Sequence, residues 1–330
     1  MAKIAVELKR ALARRAVDGS PGRATPRRLA QGDGWTVSDM ICTSGPQDGS
    51  FEEQHSDFAI ALVTAGSFQY KGATGRPGQM CELMTPGSLL FGRAGQGFEC
   101  KHEHGTGDRC LSFGFAPEYL ERIAADAGIA NRKLDFGFLR LPPLRVLSPI
   151  VGRACLALTA PAQANAAWEE LGLELAVAML RLMDGRSAES REFPPSTLAR
   201  VTRVLRAIER HPDAEHTLQS LAREARLSPY HFLRAFRQVT GVTPHQYLLR
   251  ARLREAVVRL ADERARVLDI ALDCGFGDVS NFNRAFRAEF RVSPRAFRRN
   301  RSASSEPSGQ RLLSSPGIPG LPDEPPWAGR

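Results

Sequence analysis

An ungapped internal repeat near the C-terminus constrains the fold of this chain more than any other feature. Residues 231–244 (HFLRAFRQVTGVTP) align with residues 281–294 (NFNRAFRAEFRVSP), and seven of the fourteen pairs are identical. A repeat at this period indicates a duplicated supersecondary unit. Phe at i and i+4 places two rings on one helix face, whereas Arg at i+2 and i+5 lies off that face. Each copy therefore predicts a short helix with a buried aromatic stripe and a basic outer side.

The residues before each copy predict another helix and a tight turn. In the first copy Thr217 is a candidate N-cap of an amphipathic segment, and Ser228 with Pro229 begins the next helix. In the second copy residues 274–277 (CGFG) form the turn, because glycine accepts positive φ. The order helix, turn, helix therefore occurs twice, which predicts two helix-turn-helix units and two recognition helices.

These motifs resemble the two halves of the AraC/XylS signature. The first half matches at residues 228–236 (SPYHFLRAF) and 241–244 (GVTP), and the second at residues 282–287 (FNRAFR) and 292–294 (VSP). The resemblance covers about residues 198–300 and implies an all-α DNA-binding domain with two helix-turn-helix units. It also implies a transcription regulator, commonly an activator, that binds double-stranded DNA and contacts RNA polymerase.

Two residues depart from the family pattern. Arg226 and Arg291 stand at turn positions where the family commonly carries glycine. We expect both residues to adopt turns less strained than the left-handed conformation that glycine accepts.

The charge of the chain is concentrated in the same region. Residues 198–300 contain twenty Arg, no Lys and eleven Asp plus Glu, a net charge of +9, which equals the net charge of the whole chain. The remaining residues are therefore balanced. A basic region of this kind is expected to neutralise DNA phosphates, and the alternative interpretation is a solvated basic surface.

Helix phase and the family resemblance together identify the candidate base-reading residues. With the repeated Phe pairs facing inward, the exposed N-terminal positions are Tyr230, Leu233 and Arg234 in the first helix and Val279, Ser280, Asn283 and Arg284 in the second. Arg suits guanine, Asn suits adenine, and apolar side chains suit the thymine methyl group. Arg237 and Arg287, one turn further on, are predicted to contact phosphate. The alternative for these arginines is a salt bridge to a neighbouring acid, and for Tyr230 it is packing.

Residues 248–260 (LLRARLREAVVRL) predict a long helix that joins the two units. A rigid connector fixes the separation of the recognition helices. Entry into successive major grooves requires a separation of about 34 Å or a DNA bend. We therefore expect a two-part DNA site with its parts about one helical turn apart.

The N-terminal half has a different texture. Short apolar runs such as residues 58–64 (FAIALVT) and 88–91 (SLLF) are separated by turns rich in Gly, Pro and Asp, which predicts antiparallel strands. The family resemblance implies a cupin-like β-barrel for residues 35–143, acting as a sensor or dimerisation domain. The expected fold class is thus multidomain α+β, with a barrel, linker helices and an all-α C-terminal domain.

One polar cluster in this half predicts a ligand pocket. Residues 100–110 (CKHEHGTGDRC) contain His102, His104 and Asp108, and His55 lies near the opening strand. Histidines two residues apart on a strand face the same way, and Cys, His and Asp are competent metal ligands. We expect these four residues to line an effector pocket, with metal binding by His102 and His104 as one alternative. Purely structural hydrogen bonding is the other alternative, and no cofactor is assigned.

Composition sets the remaining boundaries. Residues 1–34 predict a basic N-terminal arm, residues 144–184 a helical segment that forms a dimer contact or packs on the barrel, and residues 185–197 a polar hinge. The Ser-, Pro- and Gly-rich residues 301–330 predict a disordered tail.

The sequence therefore predicts a sequence-specific transcription regulator, controlled by a small-molecule effector or by homodimerisation through the N-terminal barrel. No nucleophile–base pair, phosphate loop or catalytic carboxylate pair is evident, so we do not expect an enzyme. Six cysteines without a CxxC motif, and no signal or long apolar span, predict reduced thiols in the cytoplasm and no membrane contact. A metal-dependent cupin enzyme fused to a DNA-binding domain and an architectural DNA-binding protein are the alternatives.

Overall fold

The computed structural model describes residues 4–73, 79–129, 139–159, 164–183, 193–262 and 264–304. Residues 185–192 of the predicted hinge and residues 305–330 of the predicted tail lie outside this range. Within the described residues, no helix is long and apolar enough to cross a bilayer.

The N-terminal half contains two antiparallel sheets. One has the strand order β1-β2-β9-β4-β7-β10 and the other the order β3-β8-β5-β6. The strands are β1 Ala24–Gly32, β2 Trp35–Cys42, β3 Phe51–Gln54, β4 Phe58–Gly66, β5 Phe68–Ala73, β6 Gln79–Met84, β7 Leu89–Gly92, β8 Gly97–Lys101, β9 Asp108–Phe115 and β10 Arg140–Leu141. The predicted strands at residues 58–64 and 88–91 correspond to β4 and β7.

The six-stranded sheet is the middle layer of this half and is covered on both faces. Along β4, Ala61 and Val63 face the four-stranded sheet, where they pack with Phe68 and Tyr70. The alternate residues, including Leu62, pack instead with helices on the other face. Burial on both faces explains why the sequence of β4 is almost continuously apolar.

The ordered fold begins before residue 35, where the sequence analysis places the domain boundary. Helix α1 (Ile4–Asp18) buries Ile4 against the sheet, and β1 pairs with β2 along its whole length. Arg109 of β9 donates a hydrogen bond of 2.7 Å to the Ile4 carbonyl and two further bonds to the carboxylate of Asp39. Much of the predicted basic arm is therefore part of the N-terminal layer, because these buried contacts hold it there.

Ten further α-helices follow β9 in the described residues, with β10 between the first two. They are α2 Pro117–Asp126, α3 Ser148–Thr159, α4 Asn165–Met183, α5 Pro195–Arg210, α6 Leu218–Glu224, α7 Pro229–Thr240, α8 Pro244–Asp262, α9 Val267–Asp273, α10 Val279–Phe290 and α11 Pro294–Ser304. In α4, Leu171, Leu175 and Leu180 are buried in the core shared with the six-stranded sheet. Of the two alternatives for this helix, the structure shows packing on the N-terminal layer.

The C-terminal helices enclose two separate apolar clusters, one for each copy of the repeat. Phe232 and Phe236 lie in the first cluster with residues of α5 and α6, and Phe282 and Phe286 lie in the second with residues of α9. The long helix α8 contributes to both clusters, as the connecting helix predicted from the sequence should. Two residues of the N-terminal half complete these cores: Leu83 of β6 enters the first and Leu156 of α3 enters the second.

Candidate nucleic-acid interface

The first helix-turn-helix unit consists of α6 and α7, and its caps are those that the sequence predicts. The Thr217 hydroxyl accepts a hydrogen bond from the Ser220 N–H, and the Ser220 hydroxyl accepts one from the Thr217 N–H, which completes a capping box. Ser228 caps α7, and Pro229 occupies its first turn. The start of the first recognition helix is thus fixed by local sequence.

The second unit consists of α9 and α10. Asp278 is the N-cap of α10, and its carboxylate accepts a hydrogen bond of 2.7 Å from the Asn281 N–H. The same Asp278 carboxylate also accepts a bond from the Asn281 side-chain amide. The side-chain oxygen Oδ1 of Asn281 in turn accepts a hydrogen bond from the Arg284 guanidinium. Asp278 and Asn281 together therefore orient this guanidinium near the start of the helix.

Arg226 and Arg291 adopt the left-handed conformation, with φ of 53° and 64°. The expectation of less strained turns is therefore wrong. Arg291 follows α10 directly, so its backbone must reverse direction as glycine would, and its N–H donates to the Arg287 carbonyl. An L-residue in this region costs about 1–2 kcal/mol relative to an ordinary conformation.

The predicted base-reading positions lie on the outer side of the two recognition helices. Tyr230 is 70% exposed and Leu233 38% exposed, and the side chains of Arg234, Ser280, Asn283 and Arg284 are also exposed. Val279 is half-buried. Among the described residues neither Arg234 nor Arg284 forms a salt bridge, so both guanidinium groups remain available for a ligand. Tyr230 does not pack in the core.

A groove of about 1450 Å³ opens beside α10, and the described residues that line it include seven arginines and no acid. It contains Val279, Asn283, Arg284 and Arg287 from the predicted set. The arginines that the sequence analysis did not assign are Arg266, Arg291, Arg295, Arg298 and Arg299. The spacing of the last three at i, i+3 and i+4 on one helix is the signal that identifies them in the sequence.

Arg140 holds the C-terminal end of the first recognition helix. This residue of β10 donates hydrogen bonds to the Val239 carbonyl at 3.1 Å and to the Thr240 carbonyl at 2.7 Å. A third bond, of 3.1 Å, joins Arg140 to the carbonyl of Leu83. A cation at a helix C-terminus is favourable because it satisfies carbonyls that have no partner within the helix. The side chain is 6% exposed, so this contact is part of the domain interface.

A second set of contacts holds the C-terminal end of α10. Arg145, just after β10, donates two hydrogen bonds to the Ala288 carbonyl, at 2.9 and 2.6 Å. Ser148 donates to the carboxylate of Glu289, which also lies 3.4 Å from the Arg250 guanidinium. Residues 140–148 thus contact both recognition helices at the ends opposite to their base-reading positions.

The four residues of the predicted effector pocket do not meet at one place. His55 accepts or donates a hydrogen bond of 2.8 Å with the Tyr70 hydroxyl and stacks on Phe98 with ring centroids 4.2 Å apart. Burial lowers the pKa of His55 to about 4. His104 is partly exposed, with its ring 3.7 Å from Glu103. The space between the two sheets near these residues is occupied by side chains of an apolar cluster.

His102 and Asp108 do come together, with 2.7 Å between His102 Nε2 and Asp108 Oδ1. Cys42 joins them, because one donor atom from each of the three residues lies within 4.8 Å of the others. Burial disfavours the charged form of His102, but hydrogen bonds to Asp108 and Cys42 outweigh this effect and raise its pKa to about 9. Cys42 was not among the predicted site residues, because it lies on β2, far from His102 in the chain.

Three cysteines of this half are buried thiols. Cys42, Cys100 and Cys110 are free and buried, and the Cys110 thiol donates a hydrogen bond of 3.3 Å to Asp108. Burial raises the pKa of the Cys100 and Cys110 thiols well above the ordinary value. Thiols in this state are poor nucleophiles.

The tandem helix-turn-helix units and the arginine-lined groove define a DNA-binding protein. Comparisons with known proteins agree: residues 221–300 match a family model described as a helix-turn-helix domain. The HTH-type transcriptional activator RhaS of Salmonella arizonae is 34% identical over 267 residues, which cover 77% of this chain and 90% of that protein. RhaS of Salmonella schwarzengrund is also 34% identical, over 165 residues that cover 49% of this chain and 56% of the relative.

Among solved structures, the DNA-binding domain of AdpA in complex with a target DNA is 28% identical, with a TM-score of 0.31. The match covers 32% of this chain and 95% of that domain. The identity to RhaS along nearly its whole length shows the family of the present chain. This chain belongs to the AraC/XylS family of DNA-binding transcription regulators.

Proposed function

We propose that α7 and α10 read two adjacent major-groove segments of one DNA site. Arg234 and Arg284 are assigned to guanine, Asn283 to adenine, and Leu233 and Val279 to thymine methyl groups. Tyr230 and Ser280 complete the base-reading set. The observation that carries the proposal is that the Arg234 and Arg284 guanidinium groups, neither of which forms a salt bridge among the described residues, project from equivalent positions of two capped helices. This arrangement supplies matched donors on the second turns of both helices.

The proposal assigns phosphate contacts to the arginines around the base-reading positions. Arg237 and Arg287 lie one turn further along their helices and are exposed. The groove beside α10 adds Arg291, Arg295 and Arg299, which favours tighter backbone binding by the second unit than by the first.

The N-terminal half is proposed to regulate DNA binding through residues 140–148. Because Arg140 contacts α7 and Arg145 contacts α10, a displacement of this segment would move the two recognition helices relative to one another. An effector or a second subunit that binds one arrangement more tightly than the other would shift the population accordingly. The proposed small-molecule effector or dimer partner acts through the N-terminal domain. The proposal also includes activation through contact with RNA polymerase.

The proposal includes a homodimer in the cytoplasm and assigns no catalytic reaction. Leu171, Leu175 and Leu180 of α4 are buried within one chain. The dimer contact is therefore assigned to other surfaces. Relatives described as transcriptional activators support the regulatory role, and a DNA target supports the cytoplasmic location.

The test is selection of genomic DNA fragments by the purified protein, with Arg234→Ala and Arg284→Ala in parallel. We expect a motif with two parts about one helical turn apart, and each variant should lose preference in one part. Loss of one bidentate base contact costs about 1–3 kcal/mol, which corresponds to roughly 5- to 150-fold in affinity.

The matched control is Arg122→Ala, which removes an exposed arginine of α2 in the N-terminal half. This variant should select the same motif as the wild type. Equal loss of affinity on all sequences, without a change in preference, would reassign Arg234 and Arg284 to phosphate. Binding without any sequence preference would support an architectural protein instead.

A further inference from the structure

A buried group of metal-ligand side chains lies at one end of the two-sheet N-terminal layer. Its members come from three places: Cys42 ends β2, His102 follows β8, and Asp108 begins β9. Each is nearly inaccessible to solvent, with 5%, 3% and 5% of its surface exposed. Three chemically different donors, a sulfur, an imidazole nitrogen and a carboxylate oxygen, therefore converge from strands of both sheets.

The three donor atoms are close enough together for one ion to bind all of them after small movements. The three donor atoms lie within 4.8 Å of one another, and the Cys110 sulfur lies 3.3 Å from the second carboxylate oxygen of Asp108. Ligand bonds of 2.0–2.3 Å place the donors of a tetrahedral zinc site about 3.5 Å apart. Small side-chain movements would therefore convert the hydrogen bonds between these side chains into bonds to one central ion.

The local backbone brings the ligands together in a way that needs glycine. A Cβ at Gly66 would lie 2.2 Å from the carbonyl of Gly107 and 2.6 Å from the Cα of Asp108. Both glycines have positive φ, so larger residues would push the chain away from Asp108. Thr106, between the His102 and Asp108 ligands, is exposed and places the group beneath a surface loop.

We propose that Cys42, His102 and Asp108 form a binding site for a divalent ion of the Zn²⁺ class. A thiolate, an imidazole and a carboxylate are all zinc ligands, and a zinc site with three protein ligands is completed by a water. On binding, the Cys42 thiol and the ligating nitrogen of His102 release their protons to solvent, and the sulfur and the nitrogen donate electron pairs to the ion. His104, expected to pair with His102, is not a ligand in this assignment because its ring contacts Glu103 and is partly exposed.

The proposed site is adjacent to the DNA-binding half. Arg206 of α5 donates a hydrogen bond of 3.0 Å to the carbonyl of His104, in the loop between the ligands His102 and Asp108. An ion that fixes this loop would therefore change a contact with α5, whose residues form part of the first recognition core. The link between the ion and α5 rests on the proposed function. It identifies the effector of the N-terminal domain as a metal ion.

The first experiment titrates the reduced, metal-free full chain with Co²⁺, which replaces Zn²⁺ in tetrahedral sites and gives sulfur-to-cobalt absorption bands. We expect one ion per chain, one thiolate ligand, and displacement of the cobalt by Zn²⁺. Cys42→Ser, His102→Gln and Asp108→Asn should each weaken binding by at least about 100-fold, since loss even of an outer partner costs 10- to 100-fold. Cys81→Ser and His104→Gln, outside the ligand set, should bind as the wild type does.

X-ray absorption of the zinc-loaded wild type keeps the test valid if a variant fails to fold. One sulfur neighbour at about 2.3 Å and nitrogen or oxygen neighbours at about 2.0 Å are expected. A first shell without sulfur, or no binding of one equivalent at micromolar protein, would overturn the site.

The second experiment measures DNA affinity with and without Zn²⁺ for the wild type and Arg206→Ala. Zinc should change the affinity of the wild type several-fold and leave that of Arg206→Ala unchanged. Metal binding with no effect on wild-type DNA affinity would overturn the effector role. Absence of sequence-selective DNA binding in both conditions would instead count against the proposed function, because the cobalt titration does not involve DNA.

Discussion

The two helix-turn-helix units share a sequence pattern but differ in where they place glycine and arginine at left-handed positions. In the first unit the turn after α6 has Arg226 and the end of α7 has Gly241. In the second unit the order is reversed, with Gly275 after α9 and Arg291 at the end of α10. All four residues have positive φ, so the backbone geometry is conserved between the copies while the residue type is not.

The neighbours of each position explain the difference. A Cβ on Gly241 would lie 2.6 Å from Pro142 of the N-terminal half, and a Cβ on Gly275 would lie 2.6 Å from the carbonyl of Asp213. The arginines, in contrast, are exposed. Glycine is therefore found where another segment approaches the turn closely, and arginine is found where the turn faces solvent or DNA.

The attachment of the two recognition helices to the N-terminal half differs in the same way. Arg140 contacts the end of α7 from a buried position, whereas Arg145 contacts the end of α10 from the surface. The buried Arg140 therefore holds the first unit more firmly to the N-terminal half than the exposed Arg145 holds the second. The second unit has the more basic surface. This difference fits the proposal that the second unit makes more of the phosphate contacts than the first.

The largest expected effect tests whether the two units have equally important cores. Phe232→Ala and Phe282→Ala remove equivalent rings that are both fully buried. Each should lower the free energy of unfolding by about 3–5 kcal/mol, because a large buried side chain leaves a cavity. Urea denaturation measures the cost, and hydrogen exchange locates it in α6–α7 or α9–α10.

Tyr230→Ala is the control for this pair, since its ring is 70% exposed and should cost under about 0.5 kcal/mol. A cost below about 1 kcal/mol for one of the two Phe variants would show that the corresponding core does not contribute to the cooperative unfolding of the chain.

A smaller change in stability distinguishes the contact of Arg140 with α7 from the contact of Arg145 with α10. Arg140→Ala removes three hydrogen bonds from a charged donor and should lower the free energy of unfolding by about 3 kcal/mol. Arg145→Ala removes an exposed contact with a helix C-terminus and should cost about 0.3–1 kcal/mol. Thermal unfolding of the full chain without DNA gives both values.

Arg140→Lys serves as a control. Lysine keeps the positive charge, but its ammonium group cannot donate to the same carbonyls as the planar guanidinium does. Equal costs for Arg140→Ala and Arg145→Ala would remove the distinction between a buried and a surface attachment.

The smallest effect concerns the left-handed residues themselves. Arg226→Gly and Arg291→Gly should each raise the free energy of unfolding by about 1 kcal/mol, because glycine relieves the backbone strain. Gly241→Ala should lower it, since a Cβ there is strained and also meets Pro142. Denaturant titration without DNA measures stability separately from any role of these arginines in binding. Destabilisation by both glycine substitutions would contradict the attribution of strain to the left-handed backbone.

Much of the C-terminal domain could be predicted from the sequence because its signals are local. The N-caps at Thr217 and Ser228, the connecting helix and the inward Phe pairs each depend on residues within a few turns of one another. The exposed base-reading positions follow from the same helix phase. Arg226 and Arg291 were misjudged, since the surrounding helices impose a left-handed turn whichever residue occupies it.

The N-terminal half was less predictable because its contacts join distant segments. The ion-pairing of Arg109 with Asp39 and its bond to the Ile4 carbonyl place α1 in the fold, yet the sequence of α1 is typical of an exposed basic arm. His104 and His55 were expected to lie near His102. The fold instead brings Cys42 to His102 and Asp108.

The sequence by itself determined that this chain has two helix-turn-helix units with basic outer faces, because helix periodicity, capping and charge are properties of neighbouring residues. Only the tertiary structure decided how those units are joined to the N-terminal half and which donors surround His102. Residues 140–148 reach α7 and α10, and Cys42 reaches Asp108, through strand pairing and packing between segments far apart in the chain. Such contacts are selected by the energy of the whole fold, and local sequence patterns do not encode them.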